Sequence, residues 1–107
     1  TANSYNNIGL VYYSMGDYNK ALEYYHRALV IREKVLGVEH PRTASSYNNI
    51  GEVYRNTYDY NKALEYFNKA LDIQTKVLGS NHPRTKTVAK NILNCKELLK
   101  HDPKKSL

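Results

Sequence analysis

Apolar and ring-bearing positions recur along this chain at steps of three and four, the spacing of one face of an α-helix. Tyr5, Ile8, Tyr12 and Met15 form the first such face and predict a helix from about Thr1 to Met15. Ala21, Leu22, Tyr25, Ala28, Leu29, Ile31, Val35 and Leu36 form a second, from Tyr18 to about Leu36. Between them, Gly16 can take the left-handed conformation that ends a helix, and Asp17 can cap the next one. Gly37 closes the second helix. Pro41 suits the first turn of a third, where its missing N–H would go unused anyway.

The pattern then begins again. Tyr47, Ile50 and Tyr54 are followed by Asp59 as cap, then by Ala63, Leu64, Phe67, Ala70, Leu71, Ile73, Val77 and Leu78. Laid residue on residue, Thr43 to Arg84 covers Thr1 to Arg42 without a gap, with roughly two-thirds of positions identical. A period of this size marks stacked helical units, each of which buries its apolar face only against a neighbour. From Thr85 the pattern continues in outline, as one helix from Pro83 to about His101 with Val88, Ile92, Cys95 and Leu99 on one side. The expected organisation is a single domain over residues 1–107. It divides into a repeat over 1–42, a second over 43–84, a capping helix over 85–101 (the first helix of a degenerate third repeat) and a polar, frayed tail over 102–107.

Two details sharpen this. Tyr58 replaces Gly16 in the second repeat, at a cost of about 1 kcal/mol if the turn needs a positive φ. Gly9 and Gly51 sit in mid-helix, where glycine costs about 1 kcal/mol against alanine. Close approach of a partner helix is the reason to keep them, with Ala21 and Ala28 (Ala63 and Ala70) as the reciprocal small sites and Tyr25 or Phe67 as the ring between. Leu93 holds the glycine place in the last helix, as expected where no second helix presses.

Composition narrows the function classes. Eleven tyrosines within a hydrophobic fraction of 41% imply an interior built partly from rings with hydroxyls to satisfy. The net charge of +6 favours acidic partners, whether peptide, nucleic acid or lipid headgroup. Cys95 stands alone, so no disulfide framework is expected and a cytoplasmic setting fits. No apolar run is long enough to span a bilayer, so no membrane is expected. The first residue falls on a repeat boundary, which suggests a piece of a longer array. His40 and His82 recur before proline and read as connector residues, not metal ligands, while His26 and His101 read as isolated and solvent-facing. Phosphate-cradling loops, paired acids and nucleophile–base arrangements are missing, so neither catalysis, metal nor cofactor is expected.

Tyr5-x2-Ile8-Gly9-x2-Tyr12, Ala21-x3-Tyr25 and Ala28, repeated as Tyr47-x2-Ile50-Gly51-x2-Tyr54, Ala63-x3-Phe67 and Ala70, resemble the tetratricopeptide repeat pattern. The connector Val35-Leu36-Gly37-x2-His40-Pro41-x-Thr43, with Asn-Asn-Ile-Gly following, looks like the repeats of kinesin light chain. This resemblance implies an all-α fold, a right-handed α-solenoid of antiparallel helix pairs with two repeats and a C-terminal capping helix. It also implies a protein–protein interaction scaffold whose first helices line a concave groove. Carried over, the groove residues are Asn3, Asn6, Asn7, Leu10 and Tyr13, then Ser45, Asn48, Asn49, Glu52 and Arg55, then Thr87, Lys90, Asn91 and Asn94. Asn7, Asn49 and Asn91 recur at the repeat step and should form a ladder of amides able to pair with a ligand backbone. Leu10, Tyr13 and Arg55 vary between repeats and suit the reading of ligand side chains. Chaperone-binding members clamp a C-terminal carboxylate with Lys and Arg; here Asn6, Leu10, Asn49, Thr87 and Asn91 fall in those places, so that activity is not expected.

Three functions stay open at this point. The chain can bind an acidic peptide or protein segment in the groove. It can be a structural array that associates end to end through the flank of repeat one. It can bind nucleic acid, which is disfavoured because Lys20, Arg27, Lys34, Lys62, Lys69, Lys76, Lys104 and Lys105 form no single stripe.

Overall fold

A computed structural model describes residues 1–103. Lys104 and Lys105, and with them most of the tail expected to fray, lie outside the described residues. Five helices follow one another: α1 (Ala2–Ser14), α2 (Tyr18–Leu36), α3 (Pro41–Asn56), α4 (Tyr60–Leu78) and α5 (Pro83–Lys100). Among the described residues there is no strand.

The boundaries follow the local chemistry. Asp17 and Asp59 accept from the Lys20 and Lys62 amides at 3.3 and 3.2 Å, so each second helix starts on a side-chain cap. His40 and His82 are the caps of α3 and α5, their Nδ1 accepting from the Arg42 and Arg84 amides at 3.0 and 3.1 Å. Their connector role is therefore a hydrogen bond, with Pro41 and Pro83 next in line at the first turn. Gly16 sits at φ +80° and Tyr58, in the same turn of the second repeat, at φ +67°. The tyrosine is held where a Cβ is disfavoured.

Each helix packs on the one before it, and α1, α3 and α5 form one layer with α2 and α4 in the other. The mid-helix glycines are where paired helices meet. A Cβ on Gly9 would lie 2.6 Å from the Tyr25 ring, and one on Gly51 would lie 2.7 Å from the Phe67 ring. The buried core runs from Ala21, Tyr25 and Leu29 through Tyr47, Ile50, Val53, Ala63 and Phe67 to Val88, Ile92 and Cys95. Burial raises the pKa of the Cys95 thiol, which acts as a small core residue.

The tyrosines are clamped by cations. Tyr12 stacks on Tyr24 and Tyr54 on Tyr66, each with ring centroids 5.6 Å apart. Lys20 and Lys62 lie over Tyr12 and Tyr54, while Arg27 and Lys69 lie over Tyr24 and Tyr66. Four of the basic residues are thereby part of the packing. His26 departs from expectation. It is half-buried with its ring edge-on to Tyr66, and burial, then the nearby Lys62, lowers its pKa. His101 is exposed but sits 3.1 Å from Glu97.

One flank is bare. Ile8 and Val11 are 39% and 57% exposed, whereas their counterparts one repeat on, Ile50 and Val53, are both 0% exposed. The difference is α2, which covers α3 on that side.

Candidate functional site

The layer of first helices carries a row of polar side chains tied across the helices by hydrogen bonds. Asn49 Nδ2 donates to Asn6 Oδ1 at 2.9 Å, tying α3 to α1. Asn91 Nδ2 donates to Asn48 Oδ1 at 3.0 Å, tying α5 to α3. Within α3, Asn48 Nδ2 donates to Glu52 Oε1 at 3.2 Å. Arg55 Nη1 reaches Asn91 Oδ1 at 3.4 Å and Asn94 Oδ1 at 3.3 Å, and its guanidinium lies 5.7 Å from the Phe67 ring centre. Asn56 Nδ2 donates to the Tyr13 hydroxyl.

This row brings together most of the residues read from the sequence, but in a different register. Asn7, Asn49 and Asn91 share no hydrogen bond with one another. Side chains at equivalent positions of neighbouring helices project the same way, so each amide meets the residue before its counterpart: Asn49 meets Asn6, and Asn91 meets Asn48. Asn7 stays exposed beside this row. Leu10 and Lys90 are also exposed, as is Asn3, whose Oδ1 accepts from Arg32. Ser45 and Thr87 turn their hydroxyls onto their own helices, donating to the Pro41 and Pro83 carbonyls at 3.2 and 3.0 Å.

Charge in the row is uneven. Desolvation raises the Glu52 carboxyl above its ordinary pKa, while Arg55 and the bonds from Asn48 and Asn91 pull the other way. Tyr13 is raised as well, first by burial and then by Glu52.

Two residues that the sequence reading passed over hold the joints beneath the row. Arg32 is 7% exposed and donates to the Arg42 carbonyl, Ser46 Oγ and Asn3 Oδ1 at 3.2, 2.9 and 3.1 Å. Gln74, its counterpart in repeat two, donates to the Pro41 carbonyl at 3.4 Å. The signal was present: Arg32 falls four residues after Ala28 and four before Leu36, a charge on the apolar stripe of α2. Among the described residues no three His, Cys, Asp or Glu side chains converge in a metal-binding arrangement.

A tetratricopeptide repeat family model matches residues 1–57, and a second matches residues 43–84. The chain belongs to the tetratricopeptide repeat family. Tetratricopeptide repeats mediate protein–protein interaction and scaffolding. Solved structures show the same fold. BtubC (BKLC) from P. vanneervenii matches with a TM-score of 0.81 and 23% identity over 88% of this chain. A Podosopora anserina protein described as a kinesin light chain with nearly identical TPR-like repeats matches at 0.81 and 22% over 92%. This chain spans 37% and 47% of those two chains, less than half of each. Comparison with curated protein sequences found no match. No helix described in this tetratricopeptide repeat chain is long and apolar enough to cross a membrane.

Proposed function

We propose that this tetratricopeptide repeat array binds a peptide or protein segment along the polar row of α1, α3 and α5. The observation that carries the reading is the row itself: seven amide and charged side chains on three separate helices, held by hydrogen bonds in two sets, Asn6 with Asn49, and Asn48 with Glu52, Asn91, Arg55 and Asn94. Such a row is preorganised, so a ligand does not bear the entropy of ordering it. It also keeps hydrogen-bonding capacity in reserve. Asn49 uses one of its two N–H groups on Asn6 and retains its carbonyl, which suits the main chain of an extended or helical segment. Asn7, Leu10, Lys90 and Asn94, exposed along the same helices, supply side-chain contacts. Arg55, Arg84 and Lys90 outnumber Glu52 there, which draws acidic segments at long range.

The experiment is selection of binding peptides from a random display library, followed by amide chemical-shift mapping of the winners. Shifts should cluster on α1, α3 and α5, and Asn7→Ala/Leu10→Ala/Lys90→Ala should weaken binding with helicity unchanged. Mapping to α2 and α4 would refute the reading.

The bare flank favours a second reading, association of copies. The α1 face carrying Ile8 and Val11 is the face that α3 buries completely. Sedimentation at rising concentration tests it: association that Ile8→Lys/Val11→Lys abolishes supports it, and a monomer at every concentration refutes it.

A further inference from the structure

The two joints between repeats are built from matched pairs of side chains, and both members of each pair change together. At the first joint, where α2 lies on α3, Arg32 donates to Ser46 Oγ at 2.9 Å and the Tyr47 hydroxyl donates to Glu33 Oε2 at 3.3 Å. At the second, where α4 lies on α5, Gln74 and Thr75 take the places of Arg32 and Glu33, while Val88 and Ala89 take those of Ser46 and Tyr47. His26, edge-on to the Tyr66 ring across the first joint, completes the α2 side; its place in α4 holds Asn68.

The bare flank of repeat one carries the receiving half of the first joint, not of the second. Ser4, Tyr5, Ile8, Val11 and Tyr24 stand where repeat two has Ser46, Tyr47, Ile50, Val53 and Tyr66, identical at every one of these places. Arg27 lies over Tyr5 and Tyr24 at 5.7 and 5.3 Å, as Lys69 lies over Tyr47 and Tyr66 at 5.6 and 5.3 Å. A carboxylate set down where Glu33 sits in the first joint would meet the Tyr5 hydroxyl, with the Arg27 cation on the same ring. The Ser4 hydroxyl lies 3.1 Å from that of Thr1, and with two lone pairs it still has capacity for a further donor.

We propose that this flank docks one amphipathic helix of a partner chain in the register of α2, with leucines in the places of Leu22 and Leu29, a ring in that of His26, and arginine and glutamate in those of Arg32 and Glu33. The proposal deepens the flank reading and rests on it, since it takes the α1 face as an interface and names what lies there. Covering Ile8 and Val11 as Ile50 and Val53 are covered supplies the attraction, and the two polar pairs fix the register. Leu22, His26, Leu29 and Glu33 follow one another at steps of four, three and four, the spacing by which a helix presents one face to a groove. A second copy fits less well. Its α2 is already covered by its own α3, and its α4 carries Asn68, Gln74 and Thr75 in the polar places.

The test titrates the isotope-labelled chain with two synthetic peptides, one of the α2 sequence (Tyr18–Leu36) and one of the α4 sequence (Tyr60–Leu78), each held helical by a lactam bridge on the side away from the joint. The Ile8 and Val11 methyls report the flank by NMR, and the Ile50 and Val53 methyls report the internal joint. The expected result is saturable shifts at Ile8 and Val11, with the α2 peptide binding about tenfold tighter than the α4 peptide or better. Arg32→Gln/Glu33→Thr in the α2 peptide should remove that advantage. So should Ser4→Val/Tyr5→Ala in the chain, which gives the flank the residues of α5. Equal binding of the two peptides would overturn the arginine–glutamate register. Shifts at Ile50 and Val53 alone would show exchange with the chain's own α2 and overturn docking on the flank. A chain that binds neither peptide yet associates with itself through Ile8 and Val11 in sedimentation would overturn the partner helix and leave association of copies standing; a chain that does neither refutes both.

Discussion

Gly51→Ala puts a number on how closely the paired helices meet. A methyl there would stand 2.7 Å from Cδ1 and Cε1 and 3.2 Å from Cγ of Phe67, where 3.4 Å or more is ordinary contact. Phe67 is fully buried, so its ring has no open side to turn into. Two terms oppose each other. Alanine in mid-helix gains about 1 kcal/mol over glycine. Overpacking a filled core costs about 1–3 kcal/mol. The expected net is a loss of about 1 kcal/mol, or roughly 5 °C in melting temperature for a domain of this size. Urea titration followed by circular dichroism measures it, with Gly9→Ala beside it. That second variant should lose less, although its methyl would come within 2.6 Å of the Tyr25 ring. The outer face of α1 is uncovered, so the whole helix can shift outward. The double variant Gly51→Ala/Phe67→Leu closes the cycle, and its loss should fall short of the sum of the singles by about 1 kcal/mol. A Gly51→Ala protein more stable than the parent, or a strictly additive cycle, would refute close approach as the reason for the glycine.

Tyr58→Gly should raise stability by about 1 kcal/mol, because it relieves a φ of +67° at an exposed side chain; an unchanged urea midpoint would contradict this. Arg32→Met should lower stability by about 2 kcal/mol, since it leaves the Arg42 carbonyl, Ser46 and Asn3 without their shared donor; a neutral outcome would show that apolar fill suffices there. Glu52→Gln should change the pH dependence. The folded-state carboxyl is raised, so the folded chain holds that proton more tightly than the unfolded one, and the ionised form weakens the fold at neutral pH. The variant is therefore expected to be more stable than the parent near pH 7, with the difference vanishing below the ordinary value of 4.5. A difference that grows on acidification would reverse that sign.

Repetition made the fold readable, and the same repetition hid part of the site. Helix ends, the glycine–ring contacts and the strained Tyr58 all follow from local chemistry, and comparing two near-copies displays them directly. The repeat step places Asn7, Asn49 and Asn91 at equivalent positions, but it does not say which side chains bond across the helices. Contact between parallel helices joins positions offset by one residue, so Asn6 and Asn48 are the partners. That offset depends on how the helices lie against each other, which a single chain's spacing does not encode. Arg32 and Gln74 carry the opposite lesson. They are among the 14 positions where the repeats differ, and residues that differ between near-copies invite dismissal as surface drift. Both are buried, however, and the exchange of a three-way guanidinium bridge for a glutamine with a single bond to the Pro41 carbonyl is what distinguishes the two joints. In a repeat protein the shared residues build the scaffold, so the buried departures from the repeat are where one unit acquires chemistry its neighbour lacks.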